Sequence, residues 1–125
     1  MHVHRLALLA ALTLAAPAWA GPGDGHDHRP LHGGIVAQVK DVDYELVARK
    51  DALMLYVRDH GKPVDLRNTS ATITLLTGSE RRNVALQRIG DRLEAPGPFD
   101  IKPGTKAVLQ ITRDGKVGTA RFAVP

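Results

Sequence analysis

The chain is 125 residues long, with 17 Lys and Arg against 13 Asp and Glu, 43% hydrophobic residues, 4% aromatic residues and no cysteine. That length holds one domain, and the lack of cysteine excludes a disulfide scaffold, a thiolate metal site, a thiol nucleophile and a lipidated cysteine anchor. A pI near 9.8 would point to nucleic acid if the cations were clustered. They are spread along the chain, and Arg81-Arg82 reads as the solvated end of a strand or turn, so nucleic acid is not expected as a partner.

Residues 1–20 have the layout of a secretory signal peptide. Arg5 is followed by an apolar run over Leu6–Ala16, broken only by Thr13, and then by Pro17-Ala18-Trp19-Ala20 with small residues at 18 and 20. A helix over eleven residues rises only about 16 Å, short of a hydrocarbon core of about 30 Å, so a transmembrane anchor is disfavoured and cleavage after Ala20 is expected. That predicts a periplasmic or secreted protein with no stable membrane insertion. Residues 21–34, GPGDGHDHRPLHGG, contain five Gly, two Pro and almost no apolar side chain, and are expected to form a flexible His/Gly-rich tail.

From Ile35 onward the pattern becomes short apolar or alternating runs, separated by turn residues every eight to twelve positions. In chain order the runs are 35–39, 44–49, 53–58, 71–76, 83–87, a weak 91–95, 107–112 and 118–124. Tyr44, Leu46 and Ala48, and likewise Ala71, Ile73 and Leu75, recur at every second position, the period of a strand with one face buried. Asp114-Gly115 is a two-residue hairpin signal, because a type I′ turn needs positive φ at both central residues. Lys50-Asp51 suits a second hairpin. Asp59–Pro63 ends the third run, and Pro96, Pro98 and Pro103 confine 95–105 to an irregular excursion. The expectation is an all-β domain over 35–125, a small immunoglobulin-like β-sandwich of seven to eight strands lacking the Cys pair and core Trp of antibody domains.

The clearest chemical signal is the cluster of His26, His28 and His32 beside Asp24 and Asp27. Imidazole with carboxylate suits Cu(II), Zn(II) or a similar divalent ion, and a His-x-His pair can place two nitrogens on one ion. The alternative is a solvated leader whose histidines bind metal no better than any His-rich peptide. Gly33 and Gly34 would let the backbone turn sharply or approach another segment closely, placing His32 at a defined point on the body. His60, in the turn after Asp59, is a fourth ligand candidate or an exposed turn residue. Glu45 becomes a ligand only if it lies near His32, and Met54 reads as core. No nucleophile elbow surrounds Ser70 or Ser79 and there is no phosphate loop, so an enzyme is not expected.

Residues 30–65, PLHGGIVAQVKDVDYELVARKDALMLYVRDHGKPVD, resemble a segment of small exported proteins associated with heavy-metal efflux systems. They are also similar to a β-domain of heavy-metal efflux periplasmic adaptor subunits. The shared features are His32-Gly33-Gly34, Glu45-Leu46-Val47 and Asp59–Pro63, and many relatives carry a His where this chain has Tyr44. The resemblance implies a periplasmic metal-binding protein for copper, zinc or a similar ion, a carrier or accessory with envelope efflux components as partners, and it carries His32 and His60 over as ligand candidates. The competing expectation is an exported immunoglobulin-like module that docks on an envelope assembly without metal.

Overall fold

A computed structural model describes residues 28–125, which contain nine strands and no helix. The strands are β1 (Ile35–Val39), β2 (Val42–Ala48), β3 (Ala52–Asp59), β4 (Lys62–Pro63), β5 (Thr69–Thr77), β6 (Glu80–Ile89), β7 (Arg92–Pro96), β8 (Lys106–Arg113) and β9 (Lys116–Ala123). All pair antiparallel in the order β1-β2-β3-β7-β6-β5-β8-β9, with β4 added to the end of β3. The two ends of this path, β1 and β9, lie alongside one another, so the sheet is nearly closed. Within it β8-β5-β6-β7 has the Greek-key order, in which a fourth strand returns by a long connection to lie beside the first.

The all-β reading of the sequence therefore holds, and its turns explain the registers. Lys40-Asp41, His60-Gly61 and Asp114-Gly115 each have positive φ at both residues. Each closes a two-residue loop between paired positions, Val39 with Val42, Asp59 with Lys62 and Arg113 with Lys116. This is the turn whose twist matches that of the flanking strands. Every second residue then faces inward, and Leu46, Leu53, Leu55, Ile73, Leu93 and Leu109 are completely buried at the centre of one core.

β2 departs from simple alternation. Its inward residues Tyr44 and Leu46 are buried, as expected, but so are Asp43, Glu45 and Val47 on the other face. Something must cover them, because a carboxylate taken out of water without partners is strongly unfavourable. The cover is the segment 28–34, which composition alone marked as flexible. It is held by hydrogen bonds to β2 and β3 where apolar contact would have been too sparse.

Candidate functional site

Glu45 lies at the centre of the site, with no accessible surface. Its Oε1 accepts from Leu31 N at 3.0 Å and its Oε2 from His32 N at 2.8 Å and Gly34 N at 3.0 Å. The fourth partner is the His32 ring, with Nδ1 3.0 Å from Oε1. Burial works to raise the pKa of this carboxyl. The His32 ring and the three backbone N–H groups outweigh it and hold the carboxyl below its ordinary value.

The two glycines do what the sequence suggested. Gly33 has φ +73°, which turns the chain so that successive N–H groups converge on the carboxylate, an anion-binding concavity filled by the protein's own side chain. A Cβ on Gly34 would stand 2.5 Å from the Leu46 carbonyl oxygen, so only glycine lets the leader lie this close to β2. The His32 ring then stacks on Tyr56, the residue across from Glu45 on β3, with centroids 3.5 Å apart and planes 3° from parallel.

The neighbouring position on the same face repeats the arrangement. Asp43, also buried, holds His28 Nδ1 at 2.9 and 2.8 Å from its two oxygens. Across from it on β3, Arg58 lies 3.9 Å from Asp43 and donates to the Arg29 carbonyl at 3.0 Å. Two residues further along, at the turn, Asp41 lies 3.5 Å from His60 Nε2, while His60 Nδ1 is 2.6 Å from Asp59. The His60 hydrogen bond first, and Arg113 after it, hold Asp59 below the usual carboxylate range against the opposing effect of burial. Asp41, Asp43 and Glu45 thus form a row of acids at every second position, each beside one histidine.

This geometry sorts the candidates. His32 and Glu45 are brought together, but both Glu45 oxygens are taken up by N–H groups, so Glu45 orients His32 and does not offer a lone pair outward. Asp43 stands in the same relation to His28. His60 sits four residues along the chain from Tyr56, about 13 Å at strand spacing, at the far end of the row and exposed. His26, Asp24 and Asp27 lie outside the described residues. Among the described residues no group of three or more His, Asp or Glu is placed to hold one metal ion. Position 44 faces the core, away from His32, so Tyr44 is not part of this row.

Sequence reasoning missed Asp43, Asp41, Tyr56 and Arg58. The signal that could have found the acids is the alternation Asp41-Val42-Asp43-Tyr44-Glu45, a period-two pattern with acids on one face and apolar residues on the other. A carboxylate that accepts a hydrogen bond from Nδ1 fixes the tautomer of a neutral imidazole and leaves the lone pair on Nε2, the arrangement in which metal-ligating histidines are commonly held. Comparisons with family models, with curated proteins and with solved structures return no match.

Proposed function

We propose that the protein is an exported metal-binding domain for copper, zinc or a similar divalent ion, acting by binding and not by catalysis, as a carrier or accessory to envelope efflux components. The observation that carries this reading is the pair of histidines, His32 and His28, each held through Nδ1 by a buried carboxylate. The donors fit such an ion in kind, since imidazole nitrogens suit copper and zinc. His32 and His28 would hold it, with His26, Asp24 and Asp27 of the preceding segment completing the set. The ion would link that segment to the body through nitrogens whose direction the body sets. The resemblance of residues 30–65 to proteins of heavy-metal efflux, and the signal-peptide layout of residues 1–20, support the same reading. In fold terms we infer an immunoglobulin-like sandwich, supported by the Greek-key order of β5 to β8.

Equilibrium dialysis of the protein against Cu(II) and Zn(II) tests this. Binding is expected to fall as the pH is lowered, because protons compete for the imidazole lone pairs. His32→Ala should weaken it more than His60→Ala. Glu45→Gln, which removes no histidine but frees His32 from its orienting partner, should cost about 10-fold or more in affinity, as changes to orienting partners of metal ligands do. Binding unchanged in His28→Ala, His32→Ala and the double replacement of His26 and His28 would refute the metal reading and favour a docking module.

A further inference from the structure

The inward face of β2 points to a second site, separate from the histidines. Where β9 meets the β1–β2 end of the sheet, a cleft of about 330 Å³ opens to solvent. Its walls include Val57 and Ile111, which belong to the core, and Val117, which is 70% exposed in the closing seam. Tyr44 reaches into it from β2. Tyr44 is 8% exposed, and its hydroxyl, which is open to the cleft, makes no hydrogen bond among the described residues. It can therefore donate to an acceptor that enters the cleft.

Gly118 makes room for that hydroxyl. A Cβ there would stand 2.9 Å from the Tyr44 oxygen and 3.3 Å from Ile111 Cγ2. Gly118 has no positive φ, so it is the space, and not the backbone, that requires glycine. The rim is cationic. Lys40 and Lys116 line it, and neither makes an ion pair among the described residues. Arg113 lines it too, with its Nη2 3.0 Å from Asp59, and Asp41 and Asp114 stand in the adjoining turns without lining the cleft.

We propose that this cleft binds an amphipathic monocarboxylate of about ten heavy atoms, the size of a medium-chain fatty acid. The size follows from the volume of the cleft, at the small end of the roughly 300–1,000 Å³ typical of small-ligand pockets. Three features select this class: an apolar wall for the chain, an O–H donor open to the cleft, and three cations with no acid among the lining residues. A neutral chain would leave the Tyr44 hydroxyl unpaired, and an ammonium would face like charge. The carboxylate accepts the Tyr44 hydrogen bond and sits in the field of Lys40, Lys116 and Arg113, while the alkyl chain covers Val117.

Octanoate is the probe, with acetate and octylammonium as controls, titrated into the isotopically labelled full chain in chelator-containing buffer and followed by amide chemical shifts. This makes the outcome independent of the metal reading. Octanoate should shift the amides of Val117, Gly118 and Thr119 saturably, whereas octylammonium and acetate should not. Tyr44→Phe, which keeps the ring in the core, should weaken octanoate about tenfold through loss of a hydrogen bond to a charged acceptor. The double charge reversal Lys40→Glu with Lys116→Glu, on exposed positions, should weaken it further without disturbing the fold. Equal binding of octanoate and octylammonium, undiminished binding by Tyr44→Phe, or shifts confined to strands away from β9 would each overturn the proposal.

Discussion

Replacing Glu45 by Gln isolates what the buried anchor contributes. Four N–H groups converge on its two oxygens, two on each. A carboxamide has one oxygen and one NH2, so whichever way it turns, two N–H donors are left facing another donor. A hydrogen bond to a charged acceptor is worth about 1.5–3 kcal/mol, so losing two sets a scale of about 3 kcal/mol or more. The upper end is capped, because segment 28–34 can peel away and let the new carboxamide be solvated. About 3 kcal/mol is therefore expected in urea unfolding, a midpoint lower by about 1.5 M if the slope is near 2 kcal/mol/M. Amide exchange at His32 and Gly34 should accelerate about 100-fold, the kinetic image of the same energy. Acid should expose the same group. Because the folded-state pKa of Glu45 lies below its ordinary 4.5, its contribution is fully present above that value and is lost as the pH falls through the lower folded-state value. The Glu45→Gln variant should lack that part of the acid sensitivity. A variant within about 0.5 kcal/mol of the parent, the range of an inconsequential substitution, that keeps its His32 and Gly34 amides protected would show that the leader is not held by this carboxylate.

Gly34→Ala places a methyl group 2.5 Å from the Leu46 carbonyl, backbone that cannot yield, and should cost about 2 kcal/mol, a fall in Tm of about 10 °C by calorimetry. Gly33→Ala meets nothing within 4 Å and should cost only the left-handed conformation, about 1 kcal/mol in the same assay. His60→Ala removes an exposed ring beside Asp59 and Asp41 and should change stability by less than about 1 kcal/mol in urea unfolding. Far-UV circular dichroism should show strand with little helix, and a helical content above about a quarter, close to that of average globular proteins, would contradict the fold.

The strands were legible because their period of two and their turn residues agree, and the Asp114-Gly115 hairpin was read to the residue. The ends were less so. β2 begins at Val42 and not at Tyr44 because Lys40 and Asp41 both take positive φ, a conformation that a Lys-Asp pair does not advertise. β6 extends back to Glu80 because Glu80, Arg81 and Arg82 pair with Thr77, Leu76 and Leu75. Their polarity hides a ladder that needs no buried side chains. Segment 28–34 departs from the flexibility expected of 21–34 for a different reason. Its lack of apolar residues correctly excludes hydrophobic docking, but segment 28–34 docks through backbone N–H groups and imidazoles. Their partners, Glu45 and Asp43, lie 11 to 15 residues away, and local periodicity carries no information about such pairing.

The acids on β2 bear on how a histidine-rich segment acquires a fixed geometry. In a flexible peptide each imidazole must be immobilised at the moment of binding, a cost of about 0.5–1.5 kcal/mol for each side chain ordered. Here His32 is ordered beforehand, by Glu45 on one side and the Tyr56 ring on the other. The cost of ordering falls on folding, where Glu45 and Asp43 also require it, since neither carboxylate could be buried without the N–H groups the leader supplies. The two requirements reinforce one another: the acids hold the histidines, and the leader keeps the acids out of water. Disturbing either partner should therefore release both. If the proposed metal site is as described, loss of the Glu45 charge is expected to weaken metal binding and leader protection together, while a change confined to His60 should move neither.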